Sequence, residues 1–266
     1  MMLCQTTTLE KAHLLKNHII ELKIDGTRVL IKNGQLYNRN LQNITYKYPE
    51  LAEDLKKLKD YVLDGEICIL DNGFPNFNLL LKRNCEDRFK IKLQARKNPA
   101  TLFLFDLLKS HKDLTKEPLF KRQELLKKLI NAKEFSHIRF IQQFATLKEG
   151  WDYVKRHNLE GLILKDRYSK YFMNTRSHYW LKLKNFKEAV MEFSLYEDQP
   201  AGIVLKTPED KIRVTVNGRQ AEEVKRIIEE QGKVKVVVQY LSKTEEGKLR
   251  FPSFKEVVVY ANNIIR

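Results

Sequence analysis

The octapeptide ELKIDGTR, Glu21 to Arg28, most constrains what this chain can become. Ile20, Leu22 and Ile24 alternate with Glu21, Lys23 and Asp25, the period of a strand with one apolar and one charged face. The charged face reads minus, plus, minus, and a glycine then turns the chain at once into Arg28. Burying a lysine there is costly unless it has chemical work to do. To act as a nucleophile it must lose its proton, at about 4–5 kcal/mol near pH 7 from an ordinary pKa of about 10.4. Neighbouring cations and desolvation lower that cost, whereas carboxylates alone raise it. Lys23 therefore needs positive company, from a metal ion or from other lysines. A match of four positions also occurs in ordinary ion-paired strands, so its meaning depends on the rest of the chain.

Four further stretches supply what such a lysine needs. VLDGEICIL at 62–70 reads as a strand with Asp64 and Glu66 on one face. LFLFDLL at 102–108 is an apolar strand carrying Phe105. LEGLILK at 159–165 places Glu160 and a glycine where a strand begins. RSHYWLKLK at 176–184 alternates, with Leu181 and Leu183 inward and Lys182 and Lys184 on the opposite face. Each could be plain sheet. Together they give one nucleophile, carboxylates for a divalent metal, an aromatic for a base and two lysines for phosphates.

Strand-like runs at 19–24, 28–32, 61–70, 101–107, 137–142, 161–165 and 179–184 mix with helical patterns at 48–59, 76–83, 118–132 and 146–157. The absence of a strict βαβ rhythm predicts an α+β fold with antiparallel sheets. After about residue 185 the texture changes. Short strands are expected at 190–197, 202–206, 211–216, 233–241 and 249–260, with one helix near 220–231 and glycines at the turns. Five strands and one helix fit a small β-barrel of the OB type. The expected domains are 1–187 and 188–266, joined by a hinge within LKNFKEAV.

The chain of 266 residues carries a net charge of +15, which favours a polyanionic partner, nucleic acid above all. No apolar run approaches the ~20 residues that span a bilayer, and the first residues do not read as a secretory signal. Cys4, Cys68 and Cys85 form neither a disulfide framework nor a zinc site, and the six histidines lack metal-ligand spacing. An intracellular, cytoplasmic and monomeric protein is expected.

The five stretches resemble, in order, motifs I, III, IIIa, IV and V of the covalent nucleotidyltransferases. Their order and spacing over 19–185 resemble those of ATP-dependent DNA ligases. VVVQYLSKTEEGKLRFPSF resembles the last strands of a ligase OB domain. The resemblance implies a nucleotidyltransferase (adenylation) domain followed by an OB-fold domain, with ATP and Mg²⁺ (or Mn²⁺) as cofactors and nicked duplex DNA as partner. It implies that Lys23 attacks the α-phosphate of ATP and holds AMP, which passes to a 5′-phosphate at a nick before the 3′-hydroxyl displaces it. Glu21 would contact the adenine amine, Phe105 would stack on the base, and Arg28 and Arg39 would touch ribose or phosphate. Glu66 would hold the ribose or assist the metal bound by Glu160. Lys182 and Lys184 would bind the α-phosphate, and Arg176 matches an arginine of extended motif V.

The sequence departs from that pattern twice. Only about twenty residues precede the motif I strand, where large ligases carry a helical DNA-binding domain. Segment 81–98 is the expected substitute, with seven basic and two acidic residues. Its Lys82, Arg83, Arg88, Lys90, Lys92, Arg96 and Lys97 are expected to contact phosphates. Glu256 and Val258 also stand where ligases have arginines after FPSF; Lys255, Lys248 or Arg250 would substitute, or self-adenylation would be slow. An RNA ligase, a GTP-using capping enzyme and an NAD-dependent ligase are rival covalent nucleotidyltransferases. A non-catalytic nucleic-acid binder explains the charge but leaves the lysine–carboxylate pattern unexplained.

Overall fold

The computed structural model describes residues 1–244 and 246–258. The chain divides into two compact units, Met1–Asn185 and Phe186–Arg266.

The first unit holds two sheets. One runs in the order Leu3–Thr6, Arg176–Lys184, Gly161–Asp166, His18–Leu22, Gln143–Phe144. All its ladders are antiparallel except that of Leu3–Thr6 with Arg176–Lys184. The other runs Gln35–Tyr37, Thr27–Lys32, Val62–Asp71, Ala100–Lys109, Ile138–Phe140, with Phe74–Pro75 hairpinned onto Val62–Asp71. The sheets are therefore mixed, as each has one parallel ladder. Two apolar cores build the unit. One gathers Ile20, Leu22, Ile24, Phe105, Leu162, Leu164, Trp180 and Leu183. The other gathers Val29, Ile31, Leu63, Ile67, Leu102, Leu104 and the helix residues Leu126 and Leu129. Val29, Leu30 and Ile31 are all buried, because both faces of their strand are covered.

Helix Leu119–Asn131 follows Pro118 and turns Leu126 and Leu129 inward, while Leu125 faces water. The expected helix at 48–59 is instead two 3-10 turns followed by the short helix Ala52–Lys56. Within the basic segment 81–98 lies the helix Arg88–Lys97. Its apolar residues are sparse, but Asp87 caps it by accepting a 2.8 Å hydrogen bond from the Lys90 amide, and Ile91 and Ala95 anchor it one turn apart.

The second unit corrects the expected OB barrel. Lys187–Phe193, Val234–Tyr240 and Ser253–Val257 form one antiparallel three-stranded sheet. Leu195–Gln199, Gly202–Lys206 and Arg213–Asn217 form a second, and Ser242–Lys243 pairs with Leu249–Arg250 in a two-stranded ribbon. Among the described residues no sheet closes into a barrel. The reason lies at Ser194. Sequence reading took 190–197 as one strand, which could have joined both sheets. The chain breaks there, so Phe193 ends one sheet and Leu195 starts the other. Helix Arg219–Gln231 buries Ala221, Val224 and Ile228 in the core of this unit. The expected strand at 249–260 is split into Leu249–Arg250 and Ser253–Val257, and its last two positions lie outside the described residues.

Candidate active site

Lys23 stands just beyond strand His18–Leu22, where the chain leaves the sheet. Its amide still donates to the Gly161 carbonyl at 2.9 Å, so the lysine is fixed against the strand that follows Glu160. Two glycines make that fit. A Cβ on Gly26 would meet the Ile67 carbonyl oxygen at 2.3 Å and Glu66 Cγ at 2.9 Å. Gly161 has φ +147°, and a Cβ there would lie 2.0 Å from the Leu183 carbonyl oxygen.

The Lys23 amine donates a 2.6 Å hydrogen bond to Glu160 Oε2. The lysine side chain is 20% exposed and the glutamate 7%. Burial alone would lower the amine's pKa, but Glu160, Glu66 and Asp25 together outweigh it and hold the amine above its ordinary value. Burial pushes the Glu66 carboxyl up to about 8, against the pull of Lys23 and Arg28 and with the help of Glu160 and Asp64. Glu160 is raised by burial despite Lys23. Lys184 is lowered, first by burial and then by Lys23 and Lys182, although Glu160 opposes the shift. Lys182 lies opposite Ile163, and Lys184 opposite Gly161, on the adjacent strand. Lys23, Glu66, Glu160, Lys182 and Lys184 thus form one electrostatic cluster.

Arg28 lies directly across the ladder from Glu66 but points its guanidinium at Asp64, with hydrogen bonds of 2.9 and 2.7 Å. Burial works against the charge on Arg28, and the Asp64 pair more than compensates, raising its pKa. The Tyr171 hydroxyl donates to the same carboxylate at 2.5 Å. Phe105 owes its direction to a bulge. Leu104 pairs with Gly65 and Asp106 with Asp64, leaving Phe105 without a partner and turned into the core beside Trp180, with ring centroids 6.2 Å apart.

Glu21 is 1% exposed and fully engaged. Gln123 donates to its Oε1 at 2.5 Å and to the Phe105 carbonyl at 2.8 Å. Gln143 donates to the same Oε1 at 3.3 Å. Lys165 reaches Oε2 at 2.6 Å, a close ion pair without hydrogen-bond alignment, with its amine 4.1 Å from the ring centroids of both Phe105 and Trp180. Sequence reasoning missed Lys165, Gln123, Tyr171 and Trp180. Lys165 had a signal, as the last residue of LEGLILK, two places from Ile163 on the alternating strand. Gln123, on a helix a hundred residues away from Glu21, had none.

The remaining expected residues lie apart from the cluster. Arg39 is exposed on the turn after Gln35–Tyr37. It is close enough to help lower the pKa of the Met1 amine, whose largest influence is burial. Arg176 is exposed, donates to the Cys4 carbonyl at 2.7 Å and stands about 20 Å along its strand from Lys182. Lys82, Arg88, Lys90, Lys92, Arg96 and Lys97 are exposed, but Arg83 is not. Its guanidinium turns inward, donating to the Lys47 carbonyl at 2.7 Å and the Asn98 carbonyl at 3.1 Å and pairing with Glu50 at 2.9 Å. Arg83 ties the segment down and offers no charge to solvent.

Among the described residues no group of three or more His, Cys, Asp or Glu side chains could hold a metal ion. Glu66 and Glu160 offer two carboxylates. Burial raises the pKa of both, and Glu160 raises that of Glu66 further. Such a pair fits Mg²⁺, which is commonly bound by one or two carboxylates with phosphate oxygens and water completing the shell.

A family model described as "ATP dependent DNA ligase domain" matches residues 1–184. The chain belongs to the ATP-dependent DNA ligase family. Its members seal nicked duplex DNA by covalent nucleotidyl transfer, and ATP and Mg²⁺ use follow from membership. This ligase-family chain is 28% identical to the SPbeta prophage-derived DNA ligase-like protein LigB of Bacillus subtilis over 261 residues, which is 90% of this chain and 92% of that protein. It is 29% identical to a DNA ligase of Sulfolobus acidocaldarius over 194 residues, 66% of this chain and 32% of that one. The ligase-family chain therefore matches about a third of the length of such archaeal relatives. In fold it resembles a mycobacterial DNA ligase D complexed with ATP and MES, with a TM-score of 0.62 at 23% identity over 97% of this chain and 94% of the other. It also resembles a Lig E DNA ligase, with a TM-score of 0.68 at 19% identity, over 97% and 98%. No helix among the described residues is long and apolar enough to cross a membrane.

Proposed function

We propose that the chain seals 5′-phosphate/3′-hydroxyl nicks in duplex DNA, with Lys23 as the nucleophile that carries AMP. The contact of the Lys23 amine with Glu160, within reach of Glu66, Lys182 and Lys184, carries this reading. Phosphoryl transfer depends on charge neutralisation and in-line placement more than on acid–base strength. Lys182 and Lys184 face the α-phosphate and lower the cost of a neutral Lys23. Glu160 Oε2 is the acceptor that the lysine's proton already faces, and burial makes it a better base. The Lys23 nitrogen then forms its bond to the α-phosphorus as the bond to pyrophosphate breaks. Glu160, with Glu66 when ionised, would hold Mg²⁺, which would supply positive charge to the triphosphate.

Phe105 would stack on the adenine, and Glu21 would address its amine only by exchanging one of the partners, Lys165, Gln123 or Gln143, that hold this buried carboxylate. Where it does not serve the metal, Glu66 keeps its proton below about pH 8 and holds the ribose hydroxyls instead. Arg28, oriented by Asp64, and Arg39 approach ribose or phosphate. AMP passes to the 5′-phosphate at the nick, and the 3′-hydroxyl displaces it. Lys82, Arg88, Lys90, Lys92, Arg96 and Lys97 grip duplex phosphates. On either side of FPSF, Lys255 pairs with Glu188 at 2.8 Å and Lys248 with Glu246 at 3.1 Å; either would serve leaving-group orientation only by exchanging that partner.

Incubation with α-labelled ATP and Mg²⁺ tests the reading. The expected result is one adenylyl adduct on Lys23, lost in Lys23→Ala, with label released on addition of nicked DNA and a sealed strand formed. An adduct that persists in Lys23→Ala removes the nucleophile assignment. Sealing of nicked RNA in preference to nicked DNA removes the substrate assignment.

A further inference from the structure

Helix Arg88–Lys97 is amphipathic in an unusual sense. Ile91 and Ala95 face the protein and are buried. At about 100° per residue, Phe89 and Leu93 project from the opposite side of the helix, with Arg96 and Lys97 beside them. Phe89 is 76% exposed and Leu93 52%. The helix contains five basic residues and no acidic one. A solvated basic face has no need of an exposed phenylalanine and leucine one turn apart, and such a pair marks a surface awaiting a partner. The surrounding cations fix that partner's charge. A neutral or acidic apolar groove on another protein would leave the lysines and arginines largely unused. Duplex DNA offers both complements: two rails of phosphate and, between them, the minor groove with apolar sugar edges and base steps.

We infer that Phe89 and Leu93 form an apolar ridge that seats in the minor groove of the DNA substrate, flanked by phosphate contacts from Arg88, Lys90, Lys92, Arg96 and Lys97. This inference rests on the nick-sealing reading and adds a grip that is insensitive to salt. Phosphate contacts release counterions and weaken steeply as salt rises; burial of a phenyl ring and an isobutyl group does not. The ridge therefore holds the duplex under conditions in which the cations alone let go.

The test measures affinity for a nicked duplex across a salt series and lysine adenylation in the absence of DNA. Phe89→Ala/Leu93→Ala is expected to bind about tenfold more weakly at every salt concentration, with an unchanged salt slope and unchanged adenylation. Lys90→Ala/Lys92→Ala is expected to flatten the slope. Because both apolar positions face solvent, neither change is expected to disturb folding. Phe89→Trp adds a reporter, whose fluorescence relative to the parent should be quenched when nicked duplex is added. Wild-type affinity in the double alanine variant, a weakened affinity with a flattened slope, or an unquenched indole signal in Phe89→Trp would each overturn the inference. So would a loss of affinity for a protein partner with DNA binding intact. Loss of adenylation in wild-type protein would instead strike at the nick-sealing reading itself.

Discussion

The Lys23 amine and the Glu160 carboxylate lie 2.6 Å apart, so before any nucleotide arrives the residue with the strongest claim to be the nucleophile is held as a cation. Lys23, just past the end of its strand, and Glu160, just before the start of its own, are 137 residues apart in the chain. The Lys23 amide on the Gly161 carbonyl clamps them together.

Glu160 is the first carboxylate opposing loss of the lysine's proton, so replacing it should free that proton. In Glu160→Gln the Lys23 amine is expected to titrate at lower pH. Brief exposure of nucleotide-free protein to an amine-acylating reagent at several pH values, read by mass spectrometry, checks this. Lys23 of the variant should become reactive at lower pH than Lys23 of the wild type. Coincident profiles would refute the coupling.

Glu66 titrates at about 8 in the folded chain against an ordinary 4.5. Its folded pKa is raised, so the folded state keeps a proton that the unfolded state releases. Stability is greatest below about pH 4.5 on this account and is lost as pH rises towards 8. Glu66→Gln cannot ionise and escapes that loss. Its melting temperature relative to wild type should climb between those pH values and level off above 8, for a gain on the order of 1 kcal/mol or more. A difference independent of pH would contradict it.

Glu21 and Lys165 are each about 2% exposed. Removing one partner leaves the other charged and dry, at a cost of about 3–5 kcal/mol, whereas removing both is far cheaper. Lys165→Met and Glu21→Gln should each lower stability in denaturant titrations, and the double variant should recover most of the loss. Additive losses would show that the two act independently.

Gly26→Ala places a methyl group 2.3 Å from the Ile67 backbone oxygen, which cannot swing aside. The loop bearing Lys23 must lift off the Glu66 strand. A loss of about 1–3 kcal/mol is expected, with self-adenylation falling more than stability alone explains. Thermal melts paired with adenylation rates check it, and unaltered values for both would show that the contact has slack.

The candidate site was legible in the sequence where its residues follow local periodicity. Alternation alone put Asp64 with Glu66, and Lys182 with Lys184, and glycines flagged the turn after Lys23 and the strand entry after Glu160. Those features belong to a few consecutive residues and survive any arrangement of the sheets. Other features depend on which segment lies across from which. Glu21 owes its fixed carboxylate to Gln123 on a distant helix, and Arg28 is aimed by a two-residue offset across a ladder to Asp64. Phe105 is turned inward by one unpaired residue in a bulge, and Arg83 is drawn from a basic run into the interior by two backbone carbonyls. The barrel expected of the second unit failed for the same reason. Strand count and length are written locally, but closure requires one strand to pair on both sides, and the break at Ser194 decides that only in three dimensions. Hydrogen-bond partners and close approaches arise between segments far apart in the chain, and no pattern within one segment encodes them.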